Sequence, residues 1–226
     1  MTAPRPSDDS LGAPAPGDGA TGAHGAAGAS GTTGAHGAAG AYGTTGARGA
    51  VEQDELEIRL ADGEHAGEVV AVGHRTWPPT YEPIAGADYV SMGLAKWWTP
   101  DVVTTSIRQG RTLVAVDGAE VVGVATFGVQ DDALALWKLY VLPDHHGHGI
   151  GSRLLDAVVA RSLELGVDRI VLSHIEGNRG AARFYAAHGF TETHRESGGS
   201  GLPVSVWMER RLTAPHADGS DAGDRA

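Results

Sequence analysis

No cysteine occurs anywhere in the 226 residues, so disulfides, thiolate metal sites and a cysteine nucleophile are all excluded. No apolar stretch is long enough to suggest a membrane span. The N-terminal "MTAPRPSDDSLGAPAPGDGA" lacks the basic start and apolar run of a secretory signal. Positive charge is also scarce. From Asp54 to Leu212 there are 14 Lys/Arg against 21 Asp/Glu, which carries −7 of the chain's −11. Such a surface does not favour nucleic acid or an anionic membrane, and it leans toward a cationic or neutral partner. A cytoplasmic enzyme or binding domain, with neither nucleic acid nor membrane as partner, is the resulting expectation.

Proline is missing where it would matter most. Glycine falls at every third position from Gly22 to Gly49, and "TGAHGAAGASGT" is followed by "TGAHGAAGAYGT" and a partial third copy of this 12-residue unit. A collagen triple helix fills its other positions with proline, and this tract has none. Alanine, threonine and glycine bury too little apolar area to offset the entropy of ordering them. Residues 1–53 are therefore expected to be a disordered, low-complexity tail, and residues 213–226 a second one. His24 and His36 recur only because the unit recurs.

Between these tails lies one domain's worth of chain, 54–212. "LEIRL" at 56–60 reads as a strand, and "GEHAGEVVAVGHRTW" supplies a short helix. A further helical region covers roughly 86–109, broken at Pro100. "RTLVAVDGAEVVGVATFGV" at 111–129 places two β-branched runs around Asp117-Gly118, a hairpin signature. Strands follow at 133–142, 169–175 and 204–212, and helices at 152–165 and 178–189. The order predicts an α+β or α/β domain built on one mixed sheet.

The segment "LYVLPDHHGHGIGSRLL" at 139–155 runs from a strand through Gly147, Gly149 and Gly151 into a helix. Bare backbone N–H groups at the positive end of a helix dipole form a phosphate or pyrophosphate nest, with Ser152 as cap or extra donor; a tight loop without a ligand is the alternative. No Gly-Lys-Ser/Thr follows, so a P-loop fails. The turn also comes too late, and with the wrong glycine spacing, for a dinucleotide fingerprint.

This segment resembles the acyl-CoA-binding motif of the GCN5-related N-acetyltransferases (the GNAT family), and "EGNRGAARFYAAHGF" at 176–190 resembles the family's following asparagine-to-aromatic segment. The similarity covers about residues 56–212. It implies a central mixed, splayed sheet flanked by helices, with acetyl-CoA as co-substrate. The resemblance places the cofactor arm along Leu139, Tyr140 and Val141. It places the pyrophosphate on N–H groups of His146, Gly147, His148, Gly149, Ile150, Gly151 and Ser152. Asn178 is implied as a contact of the cofactor arm or as a residue that orders the site, and Tyr185 as the acid that protonates the departing thiolate. The family usually carries glutamine or arginine where His146 stands, so this position loses a customary donor while the backbone nest remains.

The implied reaction is acetyl transfer to a primary amine of a small molecule or peptide, by direct attack in a ternary complex. A non-catalytic acyl-CoA sensor and an acyltransferase using a longer or acidic acyl-CoA are the alternatives. His174 and Glu176, two apart on a strand and so on one face, are the candidate bases. Trp77, Tyr81 and Trp137 are candidate walls of the acceptor pocket, or else core anchors. His145, His146 and His148 lack local carboxylates beyond Asp144, so no metal is expected. Family members often pair, which makes a homodimer an expectation of the resemblance.

Overall fold

The computed structural model describes residues 56–199 and 202–212. The expected tails at 1–53 and 213–226 lie outside the described residues. Within them the chain forms β1 (Glu57–Leu60), α1 (Ala66–Trp97), α2 (Pro100–Arg108), β2 (Thr112–Asp117), β3 (Glu120–Gln130), β4 (Ala133–Val141), α3 (Ile150–Glu164), β5 (Arg169–Ile175), α4 (Arg179–Ala187), β6 (Thr191–Glu196) and β7 (Ser205–Arg211). Seven strands make one sheet in the order β1-β2-β3-β4-β5-β7-β6. Only β4 and β5 run parallel, so the mixed α+β architecture matches the expectation.

The β4–β5 pair sets the rest of the design. It holds only at Leu134↔Ile170 and Ala135↔Val171, after which β5 continues beside β7 while β4 diverges. Two helices cover opposite faces of the diverging strand. Tyr140 meets Trp77 and Trp98 of the α1 side, whereas Val141 lies toward Gly151 and Phe184.

Two elements depart from the sequence expectation. The first helix does not end near Trp77, although Pro78, Pro79 and Pro83 follow; it runs on and breaks at Gly86, whose φ is 82°. Interior prolines cost helix hydrogen bonds, but Val69, Val72, Thr76, Trp77 and Tyr81 fall at helical spacing and are all buried, which holds the turns in place. Thr80 Oγ also donates to the Thr76 carbonyl at 2.7 Å. The second departure is β6, where the sequence reading placed no strand. "TETHRE" is exposed throughout and has no apolar alternation to read; its strand comes from pairing with β7 at the sheet edge, where polar side chains also discourage edge-to-edge association.

Close approaches lock the two halves of α1, and Gly93 shows the tightest of them. A Cβ at Gly93 would lie 1.8 Å from the Trp77 ring, so the indole occupies the space a side chain would need. Trp77 also packs against Tyr81 and Trp97, with ring centroids 4.6 and 5.5 Å away. Gly93→Ala is expected to lower the unfolding free energy by about 1–3 kcal/mol through overpacking, read from denaturant midpoints. An unchanged midpoint would remove this contact from the account of the fold.

Candidate active site

Strand β4 presents alternate backbone groups to its two neighbours. Leu142 N donates to the Val122 carbonyl at 2.8 Å, so position 142 faces the β3 side. Alternation then turns the N–H and C=O of Val141 and Leu139 toward the gap left by β5, while Tyr140 faces β3. The Val141 carbonyl meets the His146 imidazole there: Nε2 lies 2.8 Å from it and acts as donor. His146 therefore braces the start of the glycine turn against the strand that leads into it.

The turn itself matches a nest. Gly147 and Gly149 hold φ of 83° and 75°, and Gly149 is the N-cap of α3 in the left-handed conformation. The α3 ladder begins with Arg153 N donating to the Gly149 carbonyl, so the N–H groups of Ile150, Gly151 and Ser152 precede any partner inside the helix. Gly151 differs from the other two. It is helical, and a Cβ there would meet the Phe184 ring at 3.4 Å, an ordinary contact. Leu139, Val141, His146, the three glycines, Ile150, Ser152 and Phe184 line one cavity of about 140 Å³ at the mouth of the gap. Ser152 Oγ is held by His188 Nε2 at 3.0 Å, and His188 Nδ1 donates to the Phe184 carbonyl at 2.8 Å.

The expected acid, Tyr185, is fully buried on α4. Among the described residues its hydroxyl has no hydrogen-bond partner. Burial raises it well above the ordinary tyrosine range, so it keeps its proton at neutral pH. Tyr81 and Tyr140, whose hydroxyls lie 3.0 Å apart, are raised chiefly by burial too, and the charge that Tyr185 would carry contributes to both. Asn178 N-caps α4 by accepting from Ala181 N at 3.1 Å, while its Nδ2 has no partner among the described residues.

The candidate bases do share a face, as their spacing predicts. His174 and Glu176 line a cavity of about 410 Å³ whose α4 wall is Arg179, Ala182 and Ala186. Tyr185 sits on the neighbouring, buried face of that helix with Ala181, so this cavity does not join acid and bases. Glu176 accepts from Arg195 Nη1 at 2.7 Å, and Arg195 also grips Glu192. His174 is buried, and its Nδ1 donates to the Ile175 carbonyl at 3.0 Å, which leaves Nε2 as the acceptor of the neutral ring.

Of the expected acceptor walls, Tyr81 is a core anchor bonded to Tyr140, whereas Trp77 and Trp137 line a third cavity, of about 450 Å³. The side chain that sequence reasoning passed over is Lys138, on the same cavity wall. Its signal was present: a lone lysine inside the apolar strand "ALALWKLYVL". Lys138 is 9% exposed, donates to the Trp97 carbonyl at 2.6 Å and lies 4.3 Å over the Trp98 ring. Desolvation lowers its pKa to about 8. Among the described residues no group of three or more His, Asp or Glu is placed to hold a metal ion, and no helix is long and apolar enough to cross a membrane.

The comparisons with known proteins agree with the fold. The profile described as "Acetyltransferase (GNAT) family" matches residues 71–190. An uncharacterized N-acetyltransferase of Mycobacterium tuberculosis is 34% identical over 130 residues, 55% of this chain and 82% of that protein. Among solved structures, the PaiA N-acetyltransferase from Thermoplasma acidophilum in complex with coenzyme A superposes with a TM-score of 0.64 at 19% identity, covering 70% of this chain and 99% of that one. An acetyltransferase of the same family from Streptococcus pneumoniae gives a TM-score of 0.57 at 20% identity, over 70% and 100% of the two chains.

Three substitutions probe this geometry. Gly149→Ala forces a Cβ into the left-handed region and is expected to cost about 1–2 kcal/mol, although nothing lies within 4 Å of that Cβ; relief at Gly151→Ala would separate conformation from crowding. Lys138→Met addresses the buried charge. An unfolded lysine keeps its proton to about 10.5 and the folded one gives it up near 8, so burial destabilises the native state most below pH 8. Stability of the unsubstituted protein should rise between those pH values. Lys138→Met is expected to gain about 1–3 kcal/mol at pH 7, shrinking toward pH 10.5, in denaturant titrations at several pH values. A gain independent of pH would contradict a charged lysine at that site.

Proposed function

Since the chain belongs to the acetyltransferase (GNAT) family and uses acetyl-CoA as acetyl donor, we propose that it transfers the acetyl group directly to a primary amine of a small molecule or peptide, in a ternary complex. The observation that carries this reading is the separation of β4 from β5 above a glycine nest. A strand edge left without a strand partner offers evenly spaced donors and acceptors to an amide-bearing arm, and the nest offers N–H groups to a pyrophosphate. The residues present fit such a donor: Leu139 and Val141 supply the edge, and Gly147 to Ser152 supply the nest. The Nδ2 of Asn178 and the Tyr185 hydroxyl are buried polar atoms with hydrogen-bonding capacity to spare. Bound acetyl-CoA supplies an activated thioester, and the protein's own groups then handle charge and protons.

Acyl transfer to an amine develops negative charge on the thioester oxygen, which a backbone N–H of β4 near Val141 is suited to stabilise. The amine has to lose a proton; His174 Nε2 and Glu176 face a cavity apart from Tyr185, so either serves through intervening water, and Arg195 already holds the Glu176 carboxylate. Tyr185 then delivers a proton to the leaving sulfur. It carries its proton throughout the neutral range, as an acid must, although burial also makes that proton harder to give up.

Tyr185→Phe keeps the ring packing against Phe184 and Phe190 and removes only the hydroxyl. In a thiol-release assay over a panel of primary amines, kcat is expected to fall by about 100-fold or more, with acetyl-CoA affinity within about twofold of the parent. An unchanged kcat would remove Tyr185 from the acid role; release of thiol with no amine in the panel would count against the proposed acceptor class.

A further inference from the structure

Strand pairing puts Thr126 opposite Lys138 and Phe127 opposite Leu136, which leaves Trp137 as an extra residue in β4. A bulge of this kind turns two consecutive side chains to one side, where strict alternation would separate them. Trp137 and Lys138 accordingly line the same cavity of about 450 Å³, between α2, the end of α1 and the β3–β4 pair. That volume is in the usual range for small-molecule sites. Three indoles, Trp77, Trp97 and Trp137, form its walls.

The polar groups in this cavity are as specific as its walls. Lys138 brings a buried ammonium with three donors, of which the Trp97 carbonyl takes one at 2.6 Å. Among the described residues no carboxylate lies within ion-pair distance of it. Arg111 stands at the rim with its guanidinium 5.9 Å over the Trp137 ring, and it too has no carboxylate partner there. Asp101, the carboxylate on the wall, is exposed in the first turn of α2, where the helix end itself favours negative charge. Two cations without a carboxylate partner among the described residues thus face one aromatic cavity, and one of them is buried.

We propose that this cavity binds a small planar aromatic carboxylate, stacked between the indoles with its carboxylate toward Lys138 and Arg111. The ring area of such a ligand matches the tryptophan walls, and its charge is the counter-ion that the two cations lack. The site is separate from the cofactor cleft: Leu139 and Val141 border the glycine nest, and no residue lines both cavities. The proposal does not rest on the transfer mechanism. The ligand is either the non-reacting end of the acetyl acceptor or a second ligand of the enzyme.

Calorimetry on the full chain with benzoate and cinnamate, against the neutral benzamide and cinnamamide, tests it. The carboxylates are expected to bind at least about tenfold tighter than their amides, and Lys138→Met and Arg111→Gln should each reduce that preference to about twofold or less. Arg111 is exposed, so its variant serves as the control should Lys138→Met perturb folding. Saturating acetyl-CoA should leave the carboxylate affinity within about twofold. Equal affinity for acid and amide, no binding of either, or a preference that both variants retain would overturn the proposal, as would displacement by acetyl-CoA. Competition by the carboxylate against an amine that is turned over would identify the site as the acceptor's; binding without competition would identify a second ligand.

Discussion

Everything in the site depends on two parallel strands that pair for two residues and then part. Past Ala135 the inward edge of β4 has no strand beside it, so its backbone groups must find other partners. One carbonyl, that of Val141, takes the His146 imidazole, which also fixes where the glycine turn leaves the strand. The turn then has to reverse into α3 within a few residues, and left-handed backbone at positions 147 and 149 accomplishes it. The same geometry points the first N–H groups of α3 at the gap. A strand edge and a helix end, each short of partners, thereby meet at one mouth.

Several of these features work against stability. A buried ammonium, and the Tyr185 hydroxyl and Asn178 Nδ2 that have no partner among the described residues, each cost about 1–3 kcal/mol. The surrounding core is dense enough to carry them: Trp77, Trp98, Tyr81 and Tyr140 form an almost fully buried aromatic cluster behind β4. The cluster also keeps water from Tyr81 and Tyr140, which is why burial is the leading cause of their raised pKa values. Rigidity on the α1 side thus supports an open, polar edge on the other.

The hairpin at Asp117, the glycine turn and the α3 and α4 helices were legible because each carries a local signal: β-branched runs around a glycine, or apolar residues at helical spacing. The continuation of α1 beyond three prolines was not, since it depends on tertiary contacts of Trp77 and Tyr81 that no local rule contains. Strand β6 was invisible for the opposite reason: an exposed edge strand needs no apolar pattern. Within the site, the backbone nest was readable, while the partners of its side chains were not. The sequence alone marks His146 only by its place before the glycine turn, yet its contact with Val141 bridges the strand and the turn, a relation visible only in three dimensions. The bulge that sends Trp137 and Lys138 into one cavity likewise depends on register with β3.

The most direct test of this account is to locate acetyl-CoA on the full chain by amide hydrogen exchange, with calorimetry for stoichiometry. The splayed cleft predicts one-to-one binding with a dissociation constant of about micromolar or tighter, and slowed exchange at Leu139, Val141 and the turn from Gly147 to Ser152. Absence of binding, or protection confined to other parts of the sheet, would contradict it.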